Sequence, residues 1–203
     1  MKLVKKIGVL LMLTGCITLI GCGGAGDPVA QVESFSGEVM AKSQSSSPMT
    51  PPQGKQQIYS GGAIQSGDDS SAVLKFINDS TQIKVSENTF FEIRNFSEKD
   101  LQQLRGVAIY QVSPQNTEMR IQTPHGVATV LGTTFRLDIA ATCTALIVEE
   151  GKVGFAAEGK QVVVDSGHKF VTGLDDEPVP MDPFELNELF SDGSNTRTYF
   201  NIR

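Results

Sequence analysis

The clearest pattern in the chain is a period-two alternation of apolar and polar residues in short runs. Every second position is apolar in three such runs: Ala72, Leu74 and Phe76, then Ile83 and Val85, then Phe91 and Ile93. This alternation places one side of a strand against a core and the other against solvent. The turn-forming stretch INDST at residues 77–81 separates the first two runs. The pattern predicts short strands that pair through tight turns.

Strands of this kind are predicted along most of the chain. The first covers residues 31–42, and later ones cover residues 107–112, 118–122, 127–131, 134–139, 145–149, 152–156 and 161–164. Strands this short and closely spaced are typical of an all-β sandwich, barrel or solenoid-like stack. We predict an all-β fold, either a sandwich or a short solenoid-like stack, with one short inserted helix and one short C-terminal helix.

The inserted helix is predicted at Ser97–Gly106. Asp100 follows Ser97 by three residues, Leu101 and Leu104 follow, and Gly106 provides a stop. The C-terminal helix is predicted from its start, where Asp182 is a cap and Pro183 takes the first helical position. Its apolar face, which would dock on the domain or bind a partner, consists of Phe184, Leu189 and Phe190.

Two segments lack strand patterning. Residues 43–54, SQSSSPMTPPQG, are rich in serine and proline, and they predict a flexible loop within a domain at residues 31–173. Residues 174–203 form an acidic, proline-rich tail that contains the short helix. A weak internal repeat relates GEVMA and GKQQIYSGG, from Gly37 and Gly54, to GKVGFAA and GKQVVVDSG, from Gly151 and Gly159. It indicates either two related lobes or a coincidence between generic hairpins.

The first residues have the pattern of a bacterial lipoprotein signal peptide. Three lysines precede an apolar run at residues 7–21, which ends in LIGC at Cys22. We predict a signal peptide at residues 1–21, lipidation of Cys22 and a short tether at residues 22–30. LTGC at Cys16 fits the same pattern, but cleavage there would leave residues 17–20 as an apolar stub. An ordinary secretory peptide or an uncleaved anchor helix is the other alternative.

Charge and cysteine content argue against nucleic-acid binding and against a disulfide. Without the three leader lysines, 14 basic residues face 23 acidic ones, which argues against nucleic acid as a partner. Cys143 would be the only cysteine besides the lipidated Cys22, so no disulfide is expected, and Cys143 is interpreted as a small buried apolar residue.

The sequence contains few candidate catalytic or metal-binding residues. His125 and His168 lie beside glycines in predicted turns, without metal-ligand spacing. The acidic pairs at residues 68–69 and 175–176 lack the alternating oxygen ligands of a calcium loop. No Gly-x-Ser-x-Gly or phosphate-binding glycine loop occurs in the sequence. We therefore predict no catalytic residues, no metal and no cofactor.

Several linked motifs resemble the FecR domain family over residues 32–173. They are SGEV, the block from GKQQIYSGG to FFEI, TPHGVATVLGTTFRLDI, LIVEEGKVGF and VVVDSGHKF. The residues that match the family pattern are Gly62, Ile64, Gly67, Ala72, Leu74, Phe76, Asp79, Ser80, Thr123, Pro124, Gly126, Val130, Gly132, Thr133, Phe135, Val148, Gly151 and Val153. The sequence departs from the family pattern at two positions: Ser66 stands where the pattern often has threonine, and the glycine before Ser80 is missing.

The resemblance implies an architectural role for the most conspicuous motif. Gly126 and Gly132 would allow tight turns or close backbone approach. The Thr133 and Thr134 side chains would hydrogen-bond turn backbone, and Phe135 would enter the core. The same role is expected for Thr123 and Pro124.

The resemblance also implies a function in the cell envelope. FecR-like regulators typically combine a cytoplasmic sigma-factor-binding segment, a membrane helix and an envelope-side domain, and this chain shows only the last. We expect a noncatalytic, lipid-anchored module that binds an envelope protein. Gly23 lacks the acidic character that retains lipoproteins in an inner membrane. In a cell with two membranes, we therefore expect the protein in the outer membrane, facing the periplasm. The alternative is cell-wall or glycan binding, against which the absence of Trp argues mildly.

Overall fold

The computed structural model describes residues 26–157 and 159–191 of the chain. These residues form sixteen strands and one helix, which confirms the predicted all-β class. The elements are β1 (Ala30–Ser36), β2 (Val39–Lys42), β3 (Gln57–Ile58), β4 (Ala63–Ser66), β5 (Ser71–Phe76), β6 (Gln82–Val85), β7 (Phe90–Asn95), β8 (Asp100–Gln111), β9 (Met119–Thr123), β10 (Gly126–Val130), β11 (Thr134–Ile139), β12 (Thr144–Glu150), β13 (Lys152–Ala157), β14 (Lys160–Asp165), β15 (His168–Val171), β16 (Val179–Pro180) and α1 (Pro183–Ser191).

The strands form two layers that share one long strand. The first sheet has the order β3-β1-β5-β6-β8-β11-β12-β15-β16, and the second has the order β2-β4-β7-β8-β9-β10-β13-β14. β8 belongs to both, because its first half pairs with β7 and β9 and its second half pairs with β6 and β11. It bends at Gly106, whose φ of 81° an L side chain rarely adopts. All sixteen strands are therefore connected by hydrogen bonds into one sheet that folds over as a sandwich.

The chain repeatedly crosses from one sheet to the other at a tight corner. Gly37, with φ 76°, separates β1 from β2, and Gly151, with φ 85°, separates β12 from β13. Both corners lead from the first sheet to the second. This shared corner is the structural feature that the two units of the internal sequence repeat have in common. The strands that follow have different partners, since β2 pairs with β4 whereas β13 pairs with β10 and β14. The likeness is thus limited to the corners.

One apolar core lies between the two sheets. It joins Leu74, Ile83 and Phe135 of the first sheet to Phe91 and Phe155 of the second, all fully or almost fully buried. Complete burial of such a side chain contributes about 1.5–3 kcal/mol, so this layer accounts for most of the favourable folding free energy.

Tyr110 lies at the centre of this core. Its ring stacks on that of Phe135 with centroids 4.8 Å apart. Its hydroxyl donates a 2.8 Å hydrogen bond to Gln103 Oε1, which satisfies the one polar group of the side chain. Burial raises the pKa of Tyr110 far above its ordinary value, so the phenol stays neutral.

The predicted inserted helix at Ser97–Gly106 is wrong. The segment forms the turn before β8 and the first half of that strand, with Leu101 and Gln103 buried and Leu104 exposed. The spacing of the two leucines fits a helix, but strand partners lie on both sides of this segment, β7 antiparallel and β9 parallel. Pairing on both edges outweighs a weak local preference for helix.

Two further predictions are refined by the structure. The single strand expected at residues 31–42 is divided at Gly37 into β1 and β2. Residues 43–54 contain no strand, as expected of a loop. The loop is nevertheless anchored, because Ala41 and Thr50 exchange backbone hydrogen bonds of 2.8 and 3.0 Å. The side chain of Pro52 is buried.

Candidate functional site

The Thr-Pro-x-Gly motif forms the turn between β9 and β10. The Thr123 hydroxyl donates a 2.9 Å hydrogen bond to the Gly126 carbonyl and accepts one of 3.3 Å from the His125 N–H. A Cβ on Gly126 would lie 2.6 Å from the Ala156 carbonyl oxygen and 2.7 Å from the Phe155 ring. Gly126 is therefore needed for close packing against β13, and the turn has an architectural use.

His125 links this turn to the opposite sheet. Its Nδ1 lies 2.9 Å from Thr144 Oγ1 at the start of β12. The buried Thr144 also donates its N–H to Thr172 Oγ1 at 2.9 Å, beyond the end of β15. This chain of hydrogen bonds holds the two sheets together at one end of the sandwich. His168, which was expected in a turn, instead begins β15.

The second conspicuous motif packs a corner. A Cβ on Gly132 would lie 2.7 Å from the Cα of Pro114, so only glycine fits without a backbone shift. Thr133 is buried, and its backbone pairs with Val112. Its Oγ1, however, has no hydrogen-bond partner among the described residues, so the predicted side-chain bond from Thr133 to turn backbone is wrong. The Thr133 methyl group instead packs against Gly151.

The C-terminal helix docks on the outer face of the first sheet. Asp182 Oδ1 accepts hydrogen bonds from the Phe184 and Glu185 N–H groups at 2.8 and 3.3 Å, as expected of the predicted cap. Leu189 is fully buried in a second apolar cluster with Ala145 and Ile147 of β12. Phe190 packs against the same cluster, whereas Phe184 is 75% exposed. Of the three residues expected to form one apolar face, only Phe184 is fully available to a partner.

A buried ion pair lies beneath this helix. Arg136 Nε and Nη2 donate to the two carboxylate oxygens of Asp138 at 2.6 and 2.9 Å, and both side chains are essentially inaccessible to solvent. Arg136 Nη1 also donates to the Leu189 carbonyl at 3.2 Å. The guanidinium thus lies near the C-terminal, partially negative end of α1. No sequence pattern pointed to this pair, because charges two residues apart on a strand are usually solvated.

The open edge of the second sheet was also missed by sequence reasoning. β14 pairs with β13 alone in the part of the chain that the structure describes. Val163 at its centre is 56% exposed. Next to this edge, between β14 and β15, lies a pocket of about 290 Å³ whose lining includes Phe155, Val162, Phe170 and Leu174. The available signal was the run of three valines at residues 162–164, which breaks the period-two alternation.

Among the described residues, no three His, Cys, Asp or Glu side chains are grouped as metal ligands would be. Cys143 is half-buried beside the cluster under α1. The predicted lipidation site Cys22 and its alternative Cys16 lie outside the described residues. No helix within residues 26–157 and 159–191 has the length and apolar composition needed to cross a membrane.

Comparison with known proteins shows which folds and which family this chain resembles. Two crystal structures of a protein provisionally described as an anti-sigma factor from Parabacteroides distasonis ATCC 8503 are similar in fold, each with 15% sequence identity and a TM-score of 0.51. The similarity covers 59% of this chain and 59% of the other, so this chain spans less than two thirds of that neighbour's length. Identity this low supports the fold alone. A search of curated proteins gives no match. The family model described as FecR protein matches residues 62–154, which confirms the resemblance of this chain to the FecR domain family.

Proposed function

We propose that this chain is a noncatalytic, lipid-anchored envelope protein whose FecR-like domain binds a protein partner in signalling or assembly. The proposal rests on one observation: the conspicuous residues that match the FecR family pattern have structural roles. These residues form a turn, allow close backbone packing or fill the core: Thr123, Gly126, Gly132 and Phe135. Binding by the outer surfaces, rather than chemistry at a central site, is the function that this arrangement supports best.

Lipid anchoring at Cys22 is supported by the sequence before it. A positive segment, an apolar run of signal-peptide length and LIGC occur in the required order. The test is growth of the source cells with an alkyne-bearing palmitate analogue, followed by recovery of the tagged chain. Cys22→Ser should abolish the label and Cys16→Ser should retain it. Persistence of the label in Cys22→Ser would contradict the assignment.

Partner binding is tested by crosslinking in intact cells. Cells carrying a tagged full-length chain are crosslinked, the envelope is extracted in hot detergent, and the tagged species are separated. A discrete protein adduct of constant mass is the expected result. Retention of the chain with the insoluble wall, without an adduct, would contradict the proposal and favour wall or glycan binding. A sample treated with a wall-degrading enzyme separates true adducts from trapped protein.

A further inference from the structure

We propose that β14 and the adjoining pocket bind an extended segment of a partner protein, which adds a ninth strand to the second sheet and inserts an apolar side chain into the pocket. This inference rests on the proposed function, because it names the class of partner that the domain would bind. The expected segment alternates apolar with polar residues and carries a basic residue. The edge, the pocket and the charge around them each contribute to this conclusion.

The edge of β14 is suited to strand addition. β14 pairs with β13 over six consecutive residue pairs without a register shift. In an antiparallel ladder, alternate residues of such a strand turn their N–H and C=O groups away from the paired neighbour. Sheet edges that carry free groups of this kind are normally shortened, bulged or covered, because another strand can pair with them.

The other sheet ends in the described part of the chain are protected in those ways. β3 and β16 are two residues long, and β2 is bridged to Thr50 through Ala41. β3 pairs only with Ala30 and Gln31 of β1, and the rest of β1 has a register shift between Val32 and Ser34. β14 combines full strand length with an exposed central valine, so it is the edge that the fold leaves open to pairing.

The pocket continues from this edge into the space between the sheets. Val162, which alternates along β14 with the buried Val164, forms one wall. The rings of Phe155 and Phe170, with centroids 6.0 Å apart and tilted by 54°, contribute to the apolar lining. Leu174 also lines the pocket and is 63% exposed. A volume of about 290 Å³ accommodates one large apolar side chain. A strand paired with β14 would direct alternate side chains towards this space.

The charge at the rim favours a basic segment. Asp176 is almost completely exposed and lies 3.4 Å from Lys160 Nζ, a long surface contact that is worth little. Asp175 also lines the pocket, so two carboxylates and one ammonium lie at the opening. A lysine or arginine from a partner would replace the weak contact to Lys160 at little cost. An acidic segment would meet repulsion at the same place.

A displayed library of random seven-residue peptides tests the proposal against the full-length chain, purified in detergent. We expect enrichment of peptides with alternating apolar residues and at least one Lys or Arg. The most enriched peptide is then synthesised, and its binding is measured by fluorescence anisotropy. Hydrogen exchange should show protection of backbone amides within residues 160–165 when the peptide binds. Absence of enrichment, or protection elsewhere, would overturn the proposal.

Paired variants separate the three contributions without disturbing the core. N-methylation of alternate peptide amides should weaken binding at least about tenfold, because it removes strand pairing. Leu174→Ser should weaken binding several-fold, whereas the exposed Ile77→Ser in the β5–β6 turn should not. Asp176→Lys should weaken binding by about tenfold, whereas Glu98→Lys at another exposed position should not. Equal effects of a variant and its control would overturn the assignment.

Other occupants give distinct results. If peptide binds only after residues 192–203 are removed, the chain's own C-terminal segment competes for the edge and the proposal is wrong. If sedimentation shows a dimer that Val163→Lys dissociates, the occupant is a second copy. A crosslinked adduct in cells that persists in Leu174→Ser and Asp176→Lys would overturn this inference while leaving the proposed function intact. Absence of any adduct in the unaltered chain would contradict the proposed function itself.

Discussion

Replacing Arg136 with methionine should destabilise the protein severely, although the change preserves side-chain volume and removes only one charge. The Arg136 and Asp138 side chains are 0% and 1% exposed, and two hydrogen bonds of 2.6 and 2.9 Å join them. Loss of one partner of a buried pair leaves the other charge inside the protein and costs about 3–5 kcal/mol. This is a large fraction of the total stability of about 5–15 kcal/mol that is usual for a domain.

The chain contains a matched control for this experiment. Lys152 Nζ lies 2.8 Å from Asp165 Oδ1, a similar distance, but the two side chains are 72% and 53% exposed. Because solvent screens such a pair, Lys152→Met should lower the free energy of unfolding far less than Arg136→Met does. The comparison of the two variants therefore isolates the effect of burial from that of ion-pair geometry.

The assay is urea unfolding followed by far-ultraviolet circular dichroism, with the midpoint and the slope measured for each variant. For a chain of this size, the Arg136→Met loss corresponds to a fall in melting temperature of about 6–20 °C. The double variant Arg136→Met with Asp138→Leu should recover most of the loss, because no buried charge remains. The reasoning is refuted if Arg136→Met costs no more than Lys152→Met, or if the second substitution adds a further penalty.

Three other substitutions test the remaining structural assignments. In urea unfolding, Gly126→Ala should lower the free energy of unfolding by about 1–3 kcal/mol, because the new Cβ would lie 2.6 Å from a backbone oxygen. The control Gly154→Ala, whose Cβ would have nothing nearer than 3.8 Å, should change it by less than about 0.5 kcal/mol. Leu189→Ala should cost about 2–5 kcal/mol and release α1 to limited proteolysis, and Phe184→Ala should do neither. Partial burial, with Glu150 nearby, raises the pKa of Glu149, so its charged form disfavours folding. Glu149→Gln should therefore raise the urea midpoint at pH 7–8, where the carboxyl is ionised. The gain should disappear well below the ordinary pKa of 4.5, where the carboxyl is protonated in the folded and the unfolded state. A gain that is equal at both pH values would contradict this.

Local sequence signals predicted the elements that depend on local causes. The alternation in residues 134–139 predicted β11 with its observed bounds, because Phe135 and Leu137 face the core between the sheets. The C-terminal helix was predicted from Asp182 and Pro183, whose capping interactions involve only neighbouring residues. In both cases, the physics that determines the element lies within a few residues of it.

Prediction failed where distant segments decide the structure. Whether Leu101 joins a helix or a strand depends on β7 and β9, which lie on either side of it only in the folded chain. The burial of Arg136 depends on α1, more than forty residues further along the sequence. The open edge of β14 depends on the order of all the strands in the second sheet. None of these relations between distant segments can be detected from a local sequence pattern.

The same distinction explains why the FecR resemblance identifies the framework of this protein but not its ligand. The family match ends at residue 154, within β13. The proposed binding edge at Lys160–Asp165 and the acidic rim around Asp176 both follow that point. Inside the match, the conspicuous residues bend the chain and fill the core, so any chain that folds this way needs them whatever it binds. Partner choice can then change through the last strand of the second sheet and its rim without loss of the fold. Relatives that share the motif would accordingly be expected to differ in their partners, and the segment after residue 154 is where that difference should be sought.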